Sequence, residues 1–417
     1  MIRRGGSMSR EFMPQDKLWR YWAAVQAAMV LLMLFIRTPT QDVGYYFRGL
    51  HLELDEHALA DPTKKVTLQE YPDVGVWPLQ ALDLVTPNNN TVFVISFIAM
   101  FIGISAAFMA FLIRAGKRSP HPGSVDGARF WILFSAASGP IMLTRLDLVP
   151  GLLVALTAAY LFTRPRVASV LLGAATMSKL WPGVLAAGLV GRWNKRGTWV
   201  RLMWFALSLI TLAAITAATS GVDRLMSPLA YQGDRGLQVE SIFATPLVFL
   251  NSFNKDAWVI EYATSKSYEI FGPGVAAGVT ASEIATAALI VFALGVALFR
   301  FLRGGWTPER TVVFFLALVI LLIVTNKVFS PQYLTWFGPL LAVVMALLPT
   351  HGLGKLPTVA IIVAGLTTLI YPFMYSPLVF GPNPTAAIIL TVRNVLMVYL
   401  AFLTVKLMFR QPSHRVA

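Results

Sequence analysis

The amino-acid sequence predicts an all-α polytopic membrane protein of about 12 transmembrane or half-membrane helices, with two long loops on one side of the bilayer. Three observations lead to this fold class. Hydrophobic residues make up 56% of the 417 residues and charged residues only 13%, and the mean hydropathy is +0.66, outside the range of soluble globular proteins. Apolar runs long enough to cross a bilayer recur along the chain. Short clusters of Lys and Arg separate these runs.

The formal net charge of +14 comes mainly from these basic clusters between apolar runs. This is the distribution typical of cytoplasmic loops in membrane proteins, and a basic surface for nucleic acid would not be divided in this way. We therefore expect no nucleic-acid partner. The chain contains no cysteine, which excludes disulfides and thiolate metal sites.

The first apolar run, 18–36, follows a basic tail and lacks a small-residue cleavage site, so we expect a retained membrane anchor. Placing the basic clusters in the cytoplasm then sets the side of each later run. The spans predicted in this way are 18–36, 91–113, 130–144, 148–163, 167–191, 199–220, 275–299, 311–325, 333–349, 357–375 and 386–405.

These spans define one membrane domain over 18–405, with cytoplasmic tails over 1–17 and 406–417. The loops 38–90 and 221–274 fall on the extracytoplasmic side. Most acidic residues fall on that side too, whereas the cytoplasmic side is mainly basic. We therefore expect a multi-pass protein of the plasma membrane whose chemistry lies on its outer face.

The run over 167–191 contains Ser178-Lys179-Leu180-Trp181-Pro182 in its middle. A single crossing would leave the basic cluster 192–196 outside, against the charge rule. Proline also removes a backbone hydrogen bond, and irregular backbone inside a membrane usually lines a polar cavity. We therefore expect two short helices with a break at Lys179. Its ammonium group either points into a cavity or reaches the membrane interface.

The first long loop opens with Gln41-Asp42-Val43-Gly44-Tyr45-Tyr46, directly after the first span. A carboxylate at a membrane surface can take the proton from an acceptor hydroxyl while a glycosidic or ester bond forms. Asp42 is therefore a candidate catalytic base. Aspartate is also common at the start of helices, so a role as helix N-cap is the alternative.

Four cations in polar motifs fall on the same outer side in the predicted topology, namely Arg145, Lys179, Arg235 and Lys327. If they converge at the membrane surface, they would suit a bound anion such as the phosphate of a lipid carrier. Two alternatives remain. Arg145 and Asp147 could neutralise each other, and the four cations could lie apart at the interface.

The sequence predicts no metal site and no cofactor. Three acidic residues occur together in Glu53-Leu54-Asp55-Glu56, with His51 and His57 nearby, but acids in a polar loop are more often solvated than bound to metal. Glycine-rich phosphate loops, zinc motifs and nucleophile elbows are missing from the sequence.

Six motifs in order along the chain resemble family 87 of the glycosyltransferases, in the GT-C superfamily. They are Asp42-Val43-Gly44-Tyr45-Tyr46, Tyr71-Pro72 with Pro78-Leu79, Arg145-Leu146-Asp147 with Pro150, Lys179-Leu180-Trp181-Pro182, Arg235-Gly236-Leu237-Gln238-Val239-Glu240-Ser241 and Lys327-Val328-Phe329-Ser330-Pro331-Gln332-Tyr333. The resemblance covers nearly the whole chain. It implies a GT-C fold, a carboxylate in the first outer loop and a polyprenyl-phosphate sugar that enters from the bilayer.

The resemblance also implies roles for individual residues in an inverting single displacement on the outer face. Asp42 would deprotonate the acceptor hydroxyl, and no metal would be required. The residues implied in binding the lipid phosphate are Arg145, Lys179, Arg235 and Lys327, and those implied in orienting the sugar are Tyr45, Glu240, Gln332 and Tyr333. The implied partners are a polyprenyl-phosphate-linked sugar donor, a glycolipid or glycan acceptor of the cell envelope, and membrane lipids.

One segment departs from the family pattern. Mannosyl- and arabinosyltransferases of this family carry a histidine pair in a Ser-His-His-Trp-like segment, whereas this chain has Phe329-Ser330-Pro331-Gln332-Tyr333. The donor sugar is therefore open, with mannose as the first choice and arabinofuranose as the second. A secondary transporter, which also has broken helices and buried charges, and a noncatalytic envelope scaffold are the competing classes.

Overall fold

The computed structural model describes residues 15–51, 68, 70–118, 125–233, 235–254, 256–349, 352–381 and 383–410, with only the backbone described over 230–233. The described chain is almost entirely helical. Its α-helices are, in order, α1 Gln15–Phe35, α2 Thr38–Leu50, α3 Asp73–Asp83, α4 Asn90–Arg118, α5 Asp126–Ser138, α6 Ile141–Thr144, α7 Leu148–Tyr160, α8 Pro165–Ser178, α9 Arg196–Ser220, α10 Val222–Gly233, α11 Thr245–Asn251, α12 Val275–Arg303, α13 Pro308–Thr325, α14 Leu334–Leu347, α15 Leu356–Thr368, α16 Tyr375–Val379 and α17 Pro384–Phe409.

Seven of the described helical stretches are long and apolar enough to cross a membrane. They are α1, α4, α9, α12, α13, the stretch from α15 to α16, and α17. Shorter apolar helices lie between them, including α7 and the stretch over Pro331–Leu347. The chain is therefore a helical membrane protein, which confirms the predicted class at this level.

The predicted break near Lys179 is confirmed. α8 ends at Ser178, Lys179 has an extended backbone (φ −161°, ψ 138°), and the chain continues as a 3₁₀ helix over Trp181–Leu189. Pro182 lies in the first turn of that helix, where a missing N–H removes no intrahelical hydrogen bond. The break therefore places Lys179 just beyond the end of α8 and not along its side.

Two other predicted spans are interrupted. Gly139, with a φ of +59°, divides the predicted span 130–144 into α5 and α6, because glycine tolerates positive φ. The predicted span 357–375 loses helical geometry at Tyr371 (φ −117°, ψ 117°), inside a π-helical segment over Leu369–Met374. The following proline disfavours helical geometry at this residue. The second interruption lies beside α2, where the Tyr371 hydroxyl contacts Asp42.

The two long predicted loops contain regular structure in their described parts. The first contains α2 and α3, and the second contains α10, α11 and a β-hairpin. Strands β1 Val259–Tyr262 and β2 Tyr268–Phe271 pair antiparallel, and both are rich in the β-branched and aromatic residues that suit strands. The prediction of an all-α chain is therefore wrong for this hairpin.

The core is centred on α13 and α14. Phe315 and Ile320 of α13 and Phe337 and Leu341 of α14 are fully buried, and α14 packs against α5, α7 and α13. By contrast, only 11% of the apolar window in α9 and 17% of that in α12 is buried within the protein. This burial pattern puts α9 and α12 at the periphery, where apolar side chains can face lipid.

Candidate functional site

A cavity of about 290 Å³, which we call the central pocket, lies where several chain segments meet. Its volume is near the lower limit, about 300 Å³, of ordinary small-molecule pockets. The segments include α2, the residues just before α3, the α6–α7 junction, the α8 break, the β-hairpin and the residues that follow α13. The described lining residues are Gln41, Asp42, Tyr45, Tyr46, Arg48, Glu70, Tyr71, Arg145, Lys179, Arg235, Tyr262, Ser265, Lys266, Ser267, Ser330, Gln332 and Tyr333.

α2 presents one face to the pocket and buries another. Tyr46 and Phe47 are buried and contact aromatic rings of α4. Gln41, Asp42 and Tyr45, which the helical spacing brings to neighbouring positions, line the pocket. The aromatic packing against α4 therefore sets the orientation of Asp42.

Asp42 lies inside α2, which begins at Thr38, so its interpretation as a helix N-cap is wrong. Its Oδ2 atom accepts a hydrogen bond of 2.7 Å from the Tyr371 hydroxyl and lies 2.6 Å from Nη2 of Arg145. Oδ1 has no such partner among the described residues, and the side chain is 29% exposed. The carboxylate is therefore held by two partners through one oxygen, while the other oxygen remains available to a ligand.

Arg145 and Asp147 do not neutralise each other, although they are close in sequence. The guanidinium of Arg145 pairs with Asp42, and the carboxylate of Asp147 pairs with Lys179. Arg145 has an extended backbone and Asp147 a helical one, so the chain turns between them and their side chains diverge. The interpretation of a local Arg145–Asp147 pair is wrong.

Lys179 reaches the pocket from the break after α8. Its Nζ atom lies 2.7 Å from Oδ1 of Asp147 and 4.7 Å from the centre of the Tyr71 ring. Trp336 donates a second hydrogen bond, of 2.9 Å, to the same Asp147 oxygen. Asp147 is fully buried, whereas Lys179 is 16% exposed. Lys179 therefore points into a cavity, which is the first of the two predicted alternatives, a cavity or the membrane interface.

Positive charge dominates the central pocket. Among its described lining residues, Arg48, Arg145, Lys179, Arg235 and Lys266 are basic, and only Asp42 and Glu70 are acidic. One close pair of opposite charges contributes about 4 kcal/mol at an effective dielectric constant near 20. An anionic ligand would therefore be attracted to this pocket.

Several residues in or beside this pocket were not predicted from the sequence, and three of them bear directly on its charge or on Asp42. Arg48 lies one helical turn beyond Tyr45 on the same face of α2, so helical periodicity could have identified it. Lys266 lies in the hairpin turn with a φ of +55°, and no local pattern indicates it. Tyr371 contacts Asp42 from the interrupted span, and the proline after it is the only local signal.

Lys327 does not belong to the described pocket wall. Its Nζ atom lies 3.6 Å from Oε1 of Glu283, and its backbone carbonyl accepts a hydrogen bond from the N–H of Gln238. The structure thus brings Arg145, Lys179 and Arg235 together and leaves Lys327 apart, beside an acid on α12.

Glu240 also lies behind the pocket and does not line it. Its carboxylate is fully buried and lies 3.1 Å from Nη2 of Arg393, which is itself fully buried in α17. Burial raises the pKa of Glu240 to about 7, although the charge of Arg393 opposes the shift. The position of Glu240 in this enclosed pair corrects the expectation that its side chain touches a sugar.

The other residues predicted to orient a sugar line the pocket. Tyr45 donates a hydrogen bond of 2.8 Å to Glu70. Gln332 and Tyr333 lie in a short 3₁₀ helix over Pro331–Tyr333. The Tyr333 ring stacks on Trp336 with 3.7 Å between the ring centres. These side chains give the pocket amide, hydroxyl and aromatic surfaces beside its cations.

Tyr46 connects α2 both with the α6–α7 junction and with Tyr71, just before α3. The hydroxyls of Tyr46 and Tyr71 lie 3.2 Å apart, and the N–H of Leu146 donates to the Tyr46 oxygen at 3.4 Å. Burial raises the pKa of Tyr46 to about 12, against the opposing charge of Arg145, and burial also raises the pKa of Tyr71. Both hydroxyls therefore remain protonated near neutral pH.

The acidic cluster of the first long loop lies outside the described residues, as do the ends of both tails. The undescribed residues include Glu53, Asp55, Glu56 and His57. His51 is described, and its Nε2 atom lies 3.7 Å from Asp83. Within the described ranges, no three His, Asp or Glu side chains form a group that could hold a metal ion.

The fold and the pocket together define the chain as a helical membrane protein with a mainly cationic pocket at one end of its core helices. No protein-family model, curated protein or solved structure matches the chain. Proposals about function therefore depend on the pocket and on the motifs that form it.

Replacing Lys179 with Met should destabilise the protein by about 3–5 kcal/mol, because the buried carboxylate of Asp147 loses its cationic partner. Adding Asp147→Asn to this variant should recover part of the loss, since the uncompensated charge disappears. Thermal unfolding in detergent micelles measures both effects. The control is Lys117→Met, an exposed lysine on α4. Equal unfolding temperatures for Lys179→Met and the unchanged protein would contradict the importance of this pair.

Proposed function

We propose that the chain is a membrane glycosyltransferase of the GT-C type, similar to family 87. It moves a sugar from a polyprenyl phosphate to a hydroxyl of a glycolipid or polysaccharide of the cell envelope. The observation that carries this proposal is the position of Asp42, with one carboxylate oxygen available, in the same pocket as Arg145, Lys179 and Arg235. Sugar transfer from a lipid phosphate needs a base beside a group of cations.

In the proposed reaction, the acceptor hydroxyl oxygen attacks the anomeric carbon of the donor sugar. The hydroxyl proton passes to Oδ1 of Asp42 as the new glycosidic bond forms. The bond between the anomeric carbon and the phosphate oxygen breaks, and polyprenyl phosphate leaves with that electron pair. Because the displacement has one step, the configuration at the anomeric carbon inverts.

The cations of the pocket would bind the phosphate and stabilise the charge that develops when it leaves. Arg145 contacts Asp42 and faces the same pocket, so it brings the phosphate close to the base. Preorganised donors of this kind contribute most in a site that excludes water. Tyr45, Gln332 and Tyr333 would orient the sugar hydroxyls. The chemistry requires no metal, because the basic side chains supply the positive charge.

The predicted topology gives the proposed enzyme its orientation in the cell membrane. With the basic clusters in the cytoplasm, the central pocket opens on the extracytoplasmic face, and both tails lie inside. The short helices and the long spans together would provide the approximately 12 membrane and half-membrane helices of a GT-C plan. The donor lipid would then enter from the outer leaflet.

Mannose is the first choice of donor sugar, and arabinofuranose is the second. A cavity of about 290 Å³ suits a single sugar with its phosphate, and the long polyprenyl chain would remain in lipid. The pocket carries Ser330, Gln332 and Tyr333 where related mannosyl- and arabinosyltransferases carry histidines. This difference leaves the choice of sugar to direct assay.

A secondary transporter is the second candidate function. The observation that favours it is the buried pair of Asp147 and Lys179 at a helix break, because charged groups beside broken helices are typical of transport sites. A transporter with this pocket would carry a small anion. Uptake of labelled anions into proteoliposomes would separate this function from sugar transfer.

Asp42→Asn tests the enzyme proposal. We expect the variant to lose about 10²- to 10⁴-fold in the rate of sugar transfer, because it lacks the proton acceptor. The assay uses the purified full-length protein in lipid nanodiscs, with an envelope-lipid extract as the source of acceptor. Radiolabelled polyprenyl-phosphate mannose is the first donor tested, and polyprenyl-phosphate arabinofuranose is the second. Asp256→Asn, at an exposed aspartate of the second long loop, is the matched control. Full activity of Asp42→Asn would refute the role of Asp42 as the base. If the unchanged protein transfers neither mannose nor arabinofuranose, the proposed donors are refuted.

Arg235→Gln and Lys327→Gln test which cations bind the phosphate. Arg235 lines the central pocket, so its loss should lower the transfer rate by about 10²- to 10³-fold, as for other groups that stabilise a developing anion. Lys327 lies beside Glu283 outside the described wall, so its loss should change the rate only slightly. The same nanodisc assay measures both variants. The reverse order of effects would contradict the proposed phosphate position.

A further inference from the structure

A second cavity, of about 550 Å³, lies between α12, α13 and α17, and we call it the arginine groove. It contains Arg310 and Phe314, in the first two turns of α13, whereas Ser330 and Gln332 of the central pocket follow the end of that helix. Because α13 has 18 residues, it is about 27 Å long. This length approaches the thickness of the hydrocarbon core, so the two cavities lie near opposite surfaces of the bilayer.

The walls of the arginine groove are apolar and open towards the surroundings of the helices. Phe314 of α13 is fully buried and forms the floor, whereas Phe299 of α12 is 64% exposed and Phe409 of α17 is 69% exposed. α13 packs against both α12 and α17. In a membrane, an apolar groove of this kind between spanning helices is in contact with lipid acyl chains.

The polar end of the groove carries three arginines, Arg300, Arg310 and Arg410. Within the described chain, no carboxylate lies in ion-pair distance of any of them. Arg300 is only 8% exposed. It makes one long hydrogen bond, of 3.4 Å, to Thr311 and lies 5.0 Å from the centre of the Phe314 ring.

Arg300 has other basic side chains as its charged neighbours, while Arg410 donates a hydrogen bond of 3.3 Å to the carbonyl of Gly352. Arg300 lies within electrostatic range of Arg310 and of Arg201 on α9. A nearly buried guanidinium without an anionic partner is costly. A phosphate at this end of the groove would offset the repulsion and could accept hydrogen bonds from two arginines at once.

We propose that the arginine groove binds an anionic phospholipid of the membrane leaflet opposite the central pocket. The phosphate lies between Arg300 and Arg310, with Arg410 at the rim, and an acyl chain lies along Phe299, Phe314 and Phe409. The apolar walls select a lipid over free phosphate, because inorganic phosphate would leave them uncovered. This site is separate from the proposed donor site and does not depend on the glycosyltransferase proposal.

Native mass spectrometry of the full-length protein with phosphatidylglycerol and phosphatidylcholine tests the proposal. We expect the unchanged protein to retain phosphatidylglycerol selectively. Arg310→Gln and Arg410→Gln should each lower this retention by about fivefold, which corresponds to about 1 kcal/mol for each basic side chain near an anionic lipid surface. Arg303→Gln, an exposed arginine at the end of α12 that does not line the groove, should leave retention unchanged.

Three results would overturn the proposal. Equal retention of the two lipids would show that the groove does not recognise an anion. An equal loss in Arg303→Gln would show a general effect of basic charge at the membrane surface. Displacement of the lipid by inorganic phosphate alone would show that free phosphate is the ligand. Thermal unfolding of each variant verifies that it remains folded, and both groove variants are exposed arginines whose loss leaves the core intact.

Discussion

The ion pair between Asp42 and Arg145 is the contact on which the central pocket depends. The Arg145 side chain is only 13% exposed, so without the carboxylate it would be a nearly buried charge with no compensation. The pair joins α2 to the α6–α7 junction. The hydroxyl of Tyr371, in the interrupted span, donates a hydrogen bond to the same carboxylate oxygen. Three distant parts of the chain are thereby fixed around one acid.

The second pair, between Asp147 and Lys179, extends this arrangement into the core. Asp147 also accepts a hydrogen bond from Trp336 of α14, whose ring stacks on those of Trp181 and Tyr333. A broken helix, a buried acid and an aromatic stack thus support the pocket from behind. Since Asp42 and Asp147 each pair with a cation on another part of the chain, small shifts of one helix would change the charge distribution of the pocket.

Much of this arrangement could be predicted from local patterns, and the rest depended on long-range contacts. Hydropathy indicated the membrane class, and proline indicated the break at Lys179. The partner of Glu240 was missed because Arg393 lies far along the chain in a spanning helix. An arginine inside a span should nevertheless have a partner. Lys327 was assigned to the pocket from its predicted sidedness and from the family resemblance, but neither determines which acid a flexible side chain reaches.

The most direct test of this account is a cryo-electron microscopy structure of the full-length chain in lipid nanodiscs, at a resolution that shows side chains. The account predicts that the guanidinium of Arg145 contacts Asp42 at the observed 2.6 Å and that Lys179 contacts Asp147 at 2.7 Å, around one pocket. A structure in which Arg145 pairs with Asp147, and Asp42 faces away from the three cations, would contradict it.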